Sequence, residues 1–252
     1  MHPIVTGRRR WAQVVLAVVA CVPATLAEAP PATAEPVVSF GPSDADSVQL
    51  LAGSYYINKN QANGVPYWWD HTHLTVAVQA APSSDAEDIQ AVHDAIALWN
   101  SVLSSRLPGI TMTDVTTRNP KSADIVVHLV PQAGGIVWGG LALCSPNRRC
   151  LNVMVRTDEP PGQLTKGKPD IADFDPLRVE RTALHELGHA LGLGHASPLE
   201  ASTDIMGYGW SIADPDVTPI LSDCDIEGIR TAFGWFYANE PPHISTVPEI
   251  IC

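Results

Sequence analysis

The sequence predicts an α+β domain. Short apolar runs rich in β-branched residues lie between turn signals, which indicates strands, and the strongest of them is Asp124–Val130. Two longer segments, residues 85–105 and Leu177–Leu191, have the spacing or composition of helices. Both kinds of element are therefore expected in the folded domain.

The first 27 residues have the layout of a secretory signal peptide. Arg8–Arg10 form a positive region, Trp11–Ala20 is a short apolar run, and small residues up to Ala27 suit cleavage. The apolar run is too short to span a membrane comfortably, so we expect a secreted, extracellular protein. Two alternatives stay open: the segment could remain as an uncleaved N-terminal anchor, or Cys21 could carry a lipid, because the residues before it loosely resemble a lipoprotein signal.

Charge and hydropathy argue against two classes of partner. The chain has a formal net charge of −12 at pH 7, and residues 1–27 contain three Arg and no acidic residue, so the remainder carries −15. Such a surface repels nucleic acid and anionic lipid head groups. No later segment is apolar over the ~20 residues that a membrane-spanning helix needs. We therefore expect neither a nucleic-acid partner nor a membrane span beyond the signal segment.

The cysteines suggest disulfides. Once Cys21 is removed or lipidated, four remain, which is an even number in a chain expected to be exported. Three pairings are possible, and we favour Cys144 with Cys150, which closes a small loop, and Cys224 with Cys252, which ties the tail to the last helix. The alternative is free buried thiols. A cysteine zinc site is not expected, because no C-x₂-C pair occurs.

Composition divides the chain into three parts after the signal segment. Residues 28–66 form an N-terminal extension or short pro-segment, and 28–45 are rich in Ala, Pro and Ser. The folded domain is expected to begin near Tyr67 and to run over residues 67–238. A tail of residues 239–252 follows.

The predicted domain begins with a strand at Leu74–Val78 and the helix at 85–105. Ser84 is predicted to be the N-cap of that helix, with Glu87 completing a capping box. His93 is interpreted as a surface or packed residue, because no ligand partner stands four residues away. The helical stripe that should face the core consists of Ile89, Val92, Ile96, Trp99 and Leu103.

Further strands and a long exposed connection follow. Pro, Gly and Asp are frequent in residues 157–176, which predicts a loop, and Asp175 and Pro176 suit the N-cap and first position of the next helix. The strand candidates are Ile110–Val115, Asp124–Val130 and Leu151–Val155. Three aspartates of the connection could bind calcium, although a solvated acidic loop explains them better: Asp170, Asp173 and Asp175.

The strongest chemical signal lies inside the second helix, in the run His185-Glu186-Leu187-Gly188-His189. Residues four apart share a helix face, so the two imidazoles can reach one ion. Glu186 is offset by one residue, and its carboxylate reaches beside the metal rather than onto it. There it can accept a proton from the attacking water.

A third ligand is predicted at His195. Gly192 follows His189 by three residues and can adopt the left-handed conformation that ends a helix and turns the chain back. His195 comes three residues later and can supply a third nitrogen. Three protein ligands leave one position open for water, which is typical of catalytic zinc sites.

The complete pattern H-E-x-x-H-x-x-G-x-x-H is that of the metzincin metallopeptidases, and the chain resembles them in a second place. Residues 204–208, with the sequence D-I-M-G-Y, look like their Met-turn. The resemblance implies a zinc endopeptidase in which the three histidines bind one Zn²⁺ and Glu186 is the general base. Met206 would lie beneath the site without binding the metal.

Several segments resemble the matrixin catalytic domain, over roughly residues 67–236. The resemblance implies a twisted, mostly parallel sheet with an antiparallel edge strand, an active-site helix and a C-terminal helix. An extended substrate would pair with the edge strand near Leu141–Leu143. The last helix is predicted to be capped by Ser222 with Asp225 as reciprocal partner. The similar segments are Trp68–Asp70, Ala97–Asn100, Ala123–Ile125, Gly140–Ala142 and Leu221–Ile229.

The chain departs from the matrixin pattern at three places. Tyr208 stands where matrixins have Pro, and in this respect the chain resembles astacins and serralysins, which have Tyr there. This tyrosine either donates a hydrogen bond to the developing oxyanion or only packs. No cysteine lies between Cys21 and Cys144, which excludes a cysteine-switch propeptide in this chain. Leu143 occupies a position where matrixins often have a structural-zinc histidine, and His128 has no matching offset, which argues against a second zinc.

The sequence therefore predicts a secreted zinc-dependent endopeptidase that acts on proteins or peptides. The main alternative is a catalytically silent zinc-binding interaction module of the same fold. Such a module usually lacks the glutamate or a ligand, whereas His185, Glu186, His189 and His195 are all present here. A third possibility is a metal-dependent hydrolase of a non-peptide bond.

Overall fold

The computed structural model describes residues 54–59, 66–130, 139–144, 150–157, 176–197, 204–207 and 221–252. Residues 1–27, which are predicted to be a signal peptide, lie outside these residues, as do residues 28–53, Asp170, Asp173, Asp175 and Tyr208. None of the described helices is long and apolar enough to cross a membrane.

A five-stranded sheet forms the centre of the domain. Its strands are β2 (His73–Ala80), β3 (Thr111–Asp114), β4 (Ile125–Val130), β5 (Gly140–Cys144) and β6 (Cys150–Arg156). They lie side by side in the order β3-β2-β4-β6-β5. Neighbouring strands are parallel except for β5, which runs antiparallel to β6 at the edge. This arrangement confirms the predicted α+β class and its antiparallel edge strand.

Two long helices pack against each other beside this sheet. They are α1 (Ala86–Arg106) and α2 (Pro176–Ala190). Trp99 of α1 is fully buried, and its Nε1 donates a hydrogen bond to the Leu184 carbonyl of α2 at 3.0 Å. The apolar stripe predicted for α1 packs into the core, with Ile89 only partly buried. The described helices are α1 (Ala86–Arg106), a 3₁₀ turn (Pro120–Ser122), α2 (Pro176–Ala190), α3 (Asp223–Ala232) and α4 (Gly234–Tyr237).

The helix caps differ in how well they follow the sequence prediction. The predicted capping box at Ser84 and Glu87 is wrong, because Asp85 is the N-cap of α1 and no side chain caps it. At α3 the box is confirmed: Asp225 N donates to Ser222 Oγ at 3.1 Å, and Ser222 N donates to Asp225 Oδ2 at 2.7 Å.

A second sheet joins the two ends of the described chain to the centre of the domain. It consists of β1 (Ser54–Ile57), β7 (Leu193–Ser197) and β8 (Glu249–Ile251), in the antiparallel order β7-β1-β8. β1 lies within residues 28–66, which are predicted to be an extension or short pro-segment, and β8 lies within residues 239–252, which are predicted to be a tail. Both strands belong to the folded domain. Strands of three or four residues are too short to show an alternating pattern, and their partners are remote in sequence.

Disulfide pairing fixes the tail further. Cys224 of α3 is bonded to Cys252, which directly follows β8, and their Cα atoms are 5.9 Å apart. Cys144 is also disulfide-bonded, and it lies opposite Cys150 in the β5–β6 register. The side chain of Cys150 is outside the described part of the chain.

Candidate metal centre

The second half of α2 carries the candidate site on a buried face. His185 and Glu186 are 4% and 5% exposed, and His189, one turn later, is partly buried. Gly188 lies on the same helix, and a Cβ atom there would meet the Met206 sulfur at 2.5 Å. The absence of a side chain at Gly188 therefore lets the turn containing Met206 pack directly against α2.

The chain reverses after α2 to bring His195 to the same place. Gly192 N donates to the His189 carbonyl at 3.0 Å, and Gly192 has a φ of +113°, which L-residues with side chains rarely adopt. A Cβ at this position would also lie 2.6 Å from Cβ of Ala232. β7 begins at Leu193 and carries His195 back toward α2.

Three imidazoles converge at this point. One ring nitrogen from each of His185, His189 and His195 lies within 4.8 Å of the others. The ring centroids are 4.7 Å apart for His185 and His189, 5.3 Å for His185 and His195, and 4.7 Å for His189 and His195. Within the described ranges, this is the only cluster of three or more His, Cys, Asp or Glu side chains with ligand atoms so close.

Backbone carbonyls orient two of the imidazoles. Nδ1 of His185 donates to the Ile205 carbonyl at 2.7 Å, and Nδ1 of His189 donates to the Leu193 carbonyl at 2.8 Å. A proton on Nδ1 leaves the lone pair on Nε2, and a bond of this kind commonly fixes the tautomer of a metal-binding histidine. The arrangement makes Nε2 of each ring the candidate metal-binding atom.

Burial favours the neutral, ligand form of all three histidines. Burial, reinforced by the neighbouring imidazoles, lowers the pKa of His185 well below its ordinary value. Burial lowers the pKa of His189 to about 4 and, together with the nearby His189, the pKa of His195 to about 3. A neutral imidazole is the form that binds a metal ion, so the site is prepared to do so at neutral pH.

Glu186 follows His185 on α2 and packs against the edge strand β5. Burial raises its pKa to about 8 in the metal-free protein, although a hydrogen bond from the Ala142 backbone amide opposes this rise. Gly140 of the same strand packs closely against it, since a Cβ at Gly140 would lie 2.5 Å from Cγ of Glu186. The backbone of β5 thereby holds the Glu186 side chain.

The turn of residues 204–207, here called the floor turn, packs against the elements that carry the three histidines. Met206 is completely buried, and its sulfur lies against Gly188 as noted above. Its backbone carbonyl accepts a hydrogen bond from Ala196 N at 3.0 Å, next to His195. The turn therefore contacts both α2 and β7, which carry the three histidines.

Sequence reasoning missed several residues that support the site. Tyr67 donates its hydroxyl to the His189 carbonyl, and Trp69 Nε1 donates to the Ala190 carbonyl at 2.7 Å, so the chain before β2 is attached to the end of α2. Tyr55 donates its hydroxyl to the buried carboxylate of Asp204. A signal was present in the aromatic cluster of residues 67–69, but its partners could not be read from the sequence.

Other sequence candidates lie away from the three histidines. His93 contacts Asp114 through Nδ1, in agreement with the interpretation that it is not part of the site. His128 lies on β4 beside Asn152, with 3.0 Å between His128 Nε2 and Asn152 Oδ1. Leu143 is an exposed residue of β5.

Comparison with known proteins gives relatives of one kind. The chain is 30% identical over 176 residues to interstitial collagenase from Sus scrofa, covering 66% of this chain and 33% of the relative. It is 30% identical over 176 residues to metalloendoproteinase 1 from Glycine max, and the alignment covers 65% of this chain and 51% of that relative. It is also 30% identical to interstitial collagenase from Oryctolagus cuniculus, and the alignment covers 66% of this chain and 33% of that relative. The chain thus spans between a third and half of these relatives, and no protein-family model matches it.

The fold and the site together define the class of the protein. An α+β domain with an antiparallel edge strand, and three histidines converging from α2 and β7, is a metzincin-like architecture. Within that class, the chain is similar to the collagenase and metalloendoproteinase relatives, at 30% identity over 176 residues.

Proposed function

We propose that this chain is a secreted zinc-dependent endopeptidase, with His185, His189 and His195 as zinc ligands and Glu186 as general base. The observation that carries the proposal is the convergence of three neutral imidazoles beside a buried carboxylate. The relatives named as collagenases and a metalloendoproteinase support the same class of activity.

The donor set suits zinc. Three imidazole nitrogens with no protein carboxylate or thiolate among them are a common catalytic zinc set, which leaves one position for water or substrate. The carbonyls of Ile205 and Leu193 hold two of the rings at Nδ1, as second partners of zinc ligands commonly do. When bound, zinc lowers the pKa of a water molecule to about 7 and polarises the carbonyl of the substrate.

Glu186 would perform the proton transfers. It is adjacent in sequence to His185 and is buried, so its carboxylate reacts in a site from which bulk water is largely excluded. It would accept a proton from the attacking water and then give that proton to the leaving amine. The Ala142 amide holds the carboxylate in place during both steps.

An extended peptide would bind along β5. This strand lies at the edge of the described sheet, where an extended substrate would pair with its backbone. Ala142, whose amide reaches Glu186, is in the middle of the same strand. A peptide bound there would pass beside Glu186 and the three histidines.

The proposal has two parts beyond the described residues. Residues 1–27 would direct secretion, which agrees with a disulfide between Cys224 and Cys252, since such bonds persist in oxidising compartments. Tyr208, which follows the floor turn directly, would donate a hydrogen bond to the developing oxyanion.

A peptidase assay on the mature chain tests this function. A proteome-derived peptide library is incubated with the protein, with and without a chelator, and chelator-sensitive cleavage is expected. Glu186→Ala should bind zinc with unchanged stoichiometry and lose proteolysis, whereas Glu180→Ala, on the same helix, should remain active. An active Glu186→Ala would contradict the mechanism.

The same experiment separates the alternatives. A wild-type protein that binds zinc but cleaves no peptide would be a silent zinc-binding module. Turnover of ester or non-peptide amide substrates without peptide cleavage would instead indicate a different hydrolase.

A further inference from the structure

A buried hydrogen-bonded cluster lies behind the floor of the metal centre. Its four side chains come from three separate parts of the chain: Tyr55 from β1, Asp204 from the floor turn, and Ser222 and Asp225 from the start of α3. Their exposures are 1%, 0%, 5% and 0%, respectively. The proposed peptidase mechanism assigns no role to these four residues.

Asp204 is the acceptor at the centre of the cluster. Tyr55 donates its hydroxyl to Asp204 Oδ2, and Ser222 Oγ donates to the same atom at 2.6 Å. The other oxygen, Oδ1, accepts the Met206 amide at 2.9 Å. Burial and the carboxylates of Asp225 and Asp204 raise the pKa of Tyr55, so its hydroxyl keeps its proton and remains a donor.

The floor turn passes this restraint to the histidines on both sides. The Ile205 carbonyl accepts the Nδ1–H of His185 at 2.7 Å, and the Met206 carbonyl accepts the Ala196 amide at 3.0 Å, directly after His195. A rotation of the turn would therefore move the partner of His185 and the strand that carries His195 together.

Tyr55 holds this turn and the adjacent strand at once. Its hydroxyl is bonded to Asp204, and its backbone lies opposite Ala196 in the β1–β7 pairing. Loss of the hydroxyl would leave the buried Asp204 carboxylate with one donor fewer, which is costly inside a protein.

We propose that Tyr55 is a positioning residue for the metal centre, and that it acts through Asp204 on His185 and His195. This inference rests on the proposed function, since it concerns the same zinc ligands. It assigns a role to β1, a strand upstream of the segment that resembles metzincins: the strand holds the floor of the site.

Tyr55→Phe removes only the hydroxyl, and Tyr56→Phe is its matched control. Tyr56 is the next residue of β1 but is 42% exposed, so loss of its hydroxyl should have no effect on the site. Zinc affinity is measured by competition with a chromophoric chelator, and the visible absorption spectrum is recorded after cobalt(II) substitution. The kcat and KM values for a cleaved peptide are measured in parallel.

We expect Tyr55→Phe to weaken zinc binding by about tenfold or more, as changes to residues behind metal ligands commonly do. The cobalt absorption bands should shift, and kcat should fall with little change in KM. Tyr56→Phe should match the wild type in each measurement. Asp204→Asn, which retains the size of the side chain, should reproduce the loss and serves as the second variant if Tyr55→Phe folds poorly.

Wild-type zinc affinity and an unchanged cobalt spectrum in Tyr55→Phe, with only a lower melting temperature, would overturn the proposal, because the hydroxyl would then be merely structural. A wild-type protein that binds zinc but cleaves no peptide would contradict the proposed function alone, since the affinities still decide the role of Tyr55. A wild-type protein that binds no zinc would overturn both.

Discussion

Gly140 of the edge strand lies so close to Glu186 that a Cβ atom at position 140 would be 2.5 Å from Cγ and 2.6 Å from Oε1 of the glutamate. The neighbouring Gly139 is different, because its nearest contacts would be Thr182 atoms at 3.6 and 3.8 Å, an ordinary packing distance. Adjacent glycines therefore have unequal roles, and only Gly140 allows the strand backbone to approach the proposed general base.

Gly140→Ala should reduce catalysis by moving the Glu186 carboxylate. A displacement of about 1 Å at a catalytic group can lower the rate by roughly 10²-fold, so we expect a large loss of kcat with zinc affinity retained. Steady-state kinetics and zinc titration measure the two effects. Gly139→Ala is the control and should retain kcat, and equal kcat values for both variants would show that the close contact does not position Glu186.

Gly192→Ala should destabilise the domain. The substitution combines a positive φ of +113° with a Cβ 2.6 Å from Ala232 and 3.1 Å from the Asn58 amide nitrogen. We expect a loss of about 2 kcal/mol or more in the free energy of unfolding, measured by chemical denaturation. Gly234→Ala, where a Cβ would meet nothing within 4 Å, should be neutral or stabilising. Similar losses in the two variants would contradict this account.

Asp225→Asn should flatten the pH dependence of stability. Burial and the Asp204 carboxylate raise the pKa of Asp225 well above its ordinary value. The proton leaves the unfolded chain at about pH 3.9 but is retained in the folded one, so stability is complete below that pH. It declines as pH rises toward the folded pKa, by as much as about 1.4 kcal/mol per pH unit.

An amide at position 225 has no such proton to lose. Free energies of unfolding at fixed zinc between pH 5 and 9 should therefore show the variant gaining on the wild type as pH rises. Tyr55 and Asp204 face position 225 in both proteins, so their contributions largely cancel in the difference. Asp223→Asn, whose side chain is exposed and paired with Arg106, is the control and should follow the wild type. A parallel curve for Asp225→Asn would disprove the prediction.

Tyr208→Phe distinguishes the two interpretations of this residue. If the hydroxyl donates to the oxyanion, its removal should lower kcat by about 10²-fold and leave KM nearly unchanged. We expect this result, with zinc affinity unaffected. An unchanged kcat together with a lower melting temperature would mean that Tyr208 only packs.

Much of the site was determined by local sequence. His185 and His189 share a face because α2 is helical. Gly192, with its positive φ, reverses the chain after α2, and His195 follows three residues later. The same local rules predicted α1, the parallel strands β2, β4 and β6, and the capping box at Ser222. Each of these depends on periodicity or on a backbone preference within a few residues.

Only the tertiary structure decided what holds the site together. Tyr55 and Asp204 are 149 residues apart in sequence, and β1 pairs with two strands that lie more than 130 residues further along the chain, β7 and β8. A strand of four residues has too little pattern to reveal such pairing, and a hydroxyl or carboxylate has no sequence signal for its partner. The sequence by itself determined which side chains could bind a metal ion. The long-range packing decided that Tyr55, Asp204 and the backbone of β5 surround them, because those contacts form only when remote segments share one core.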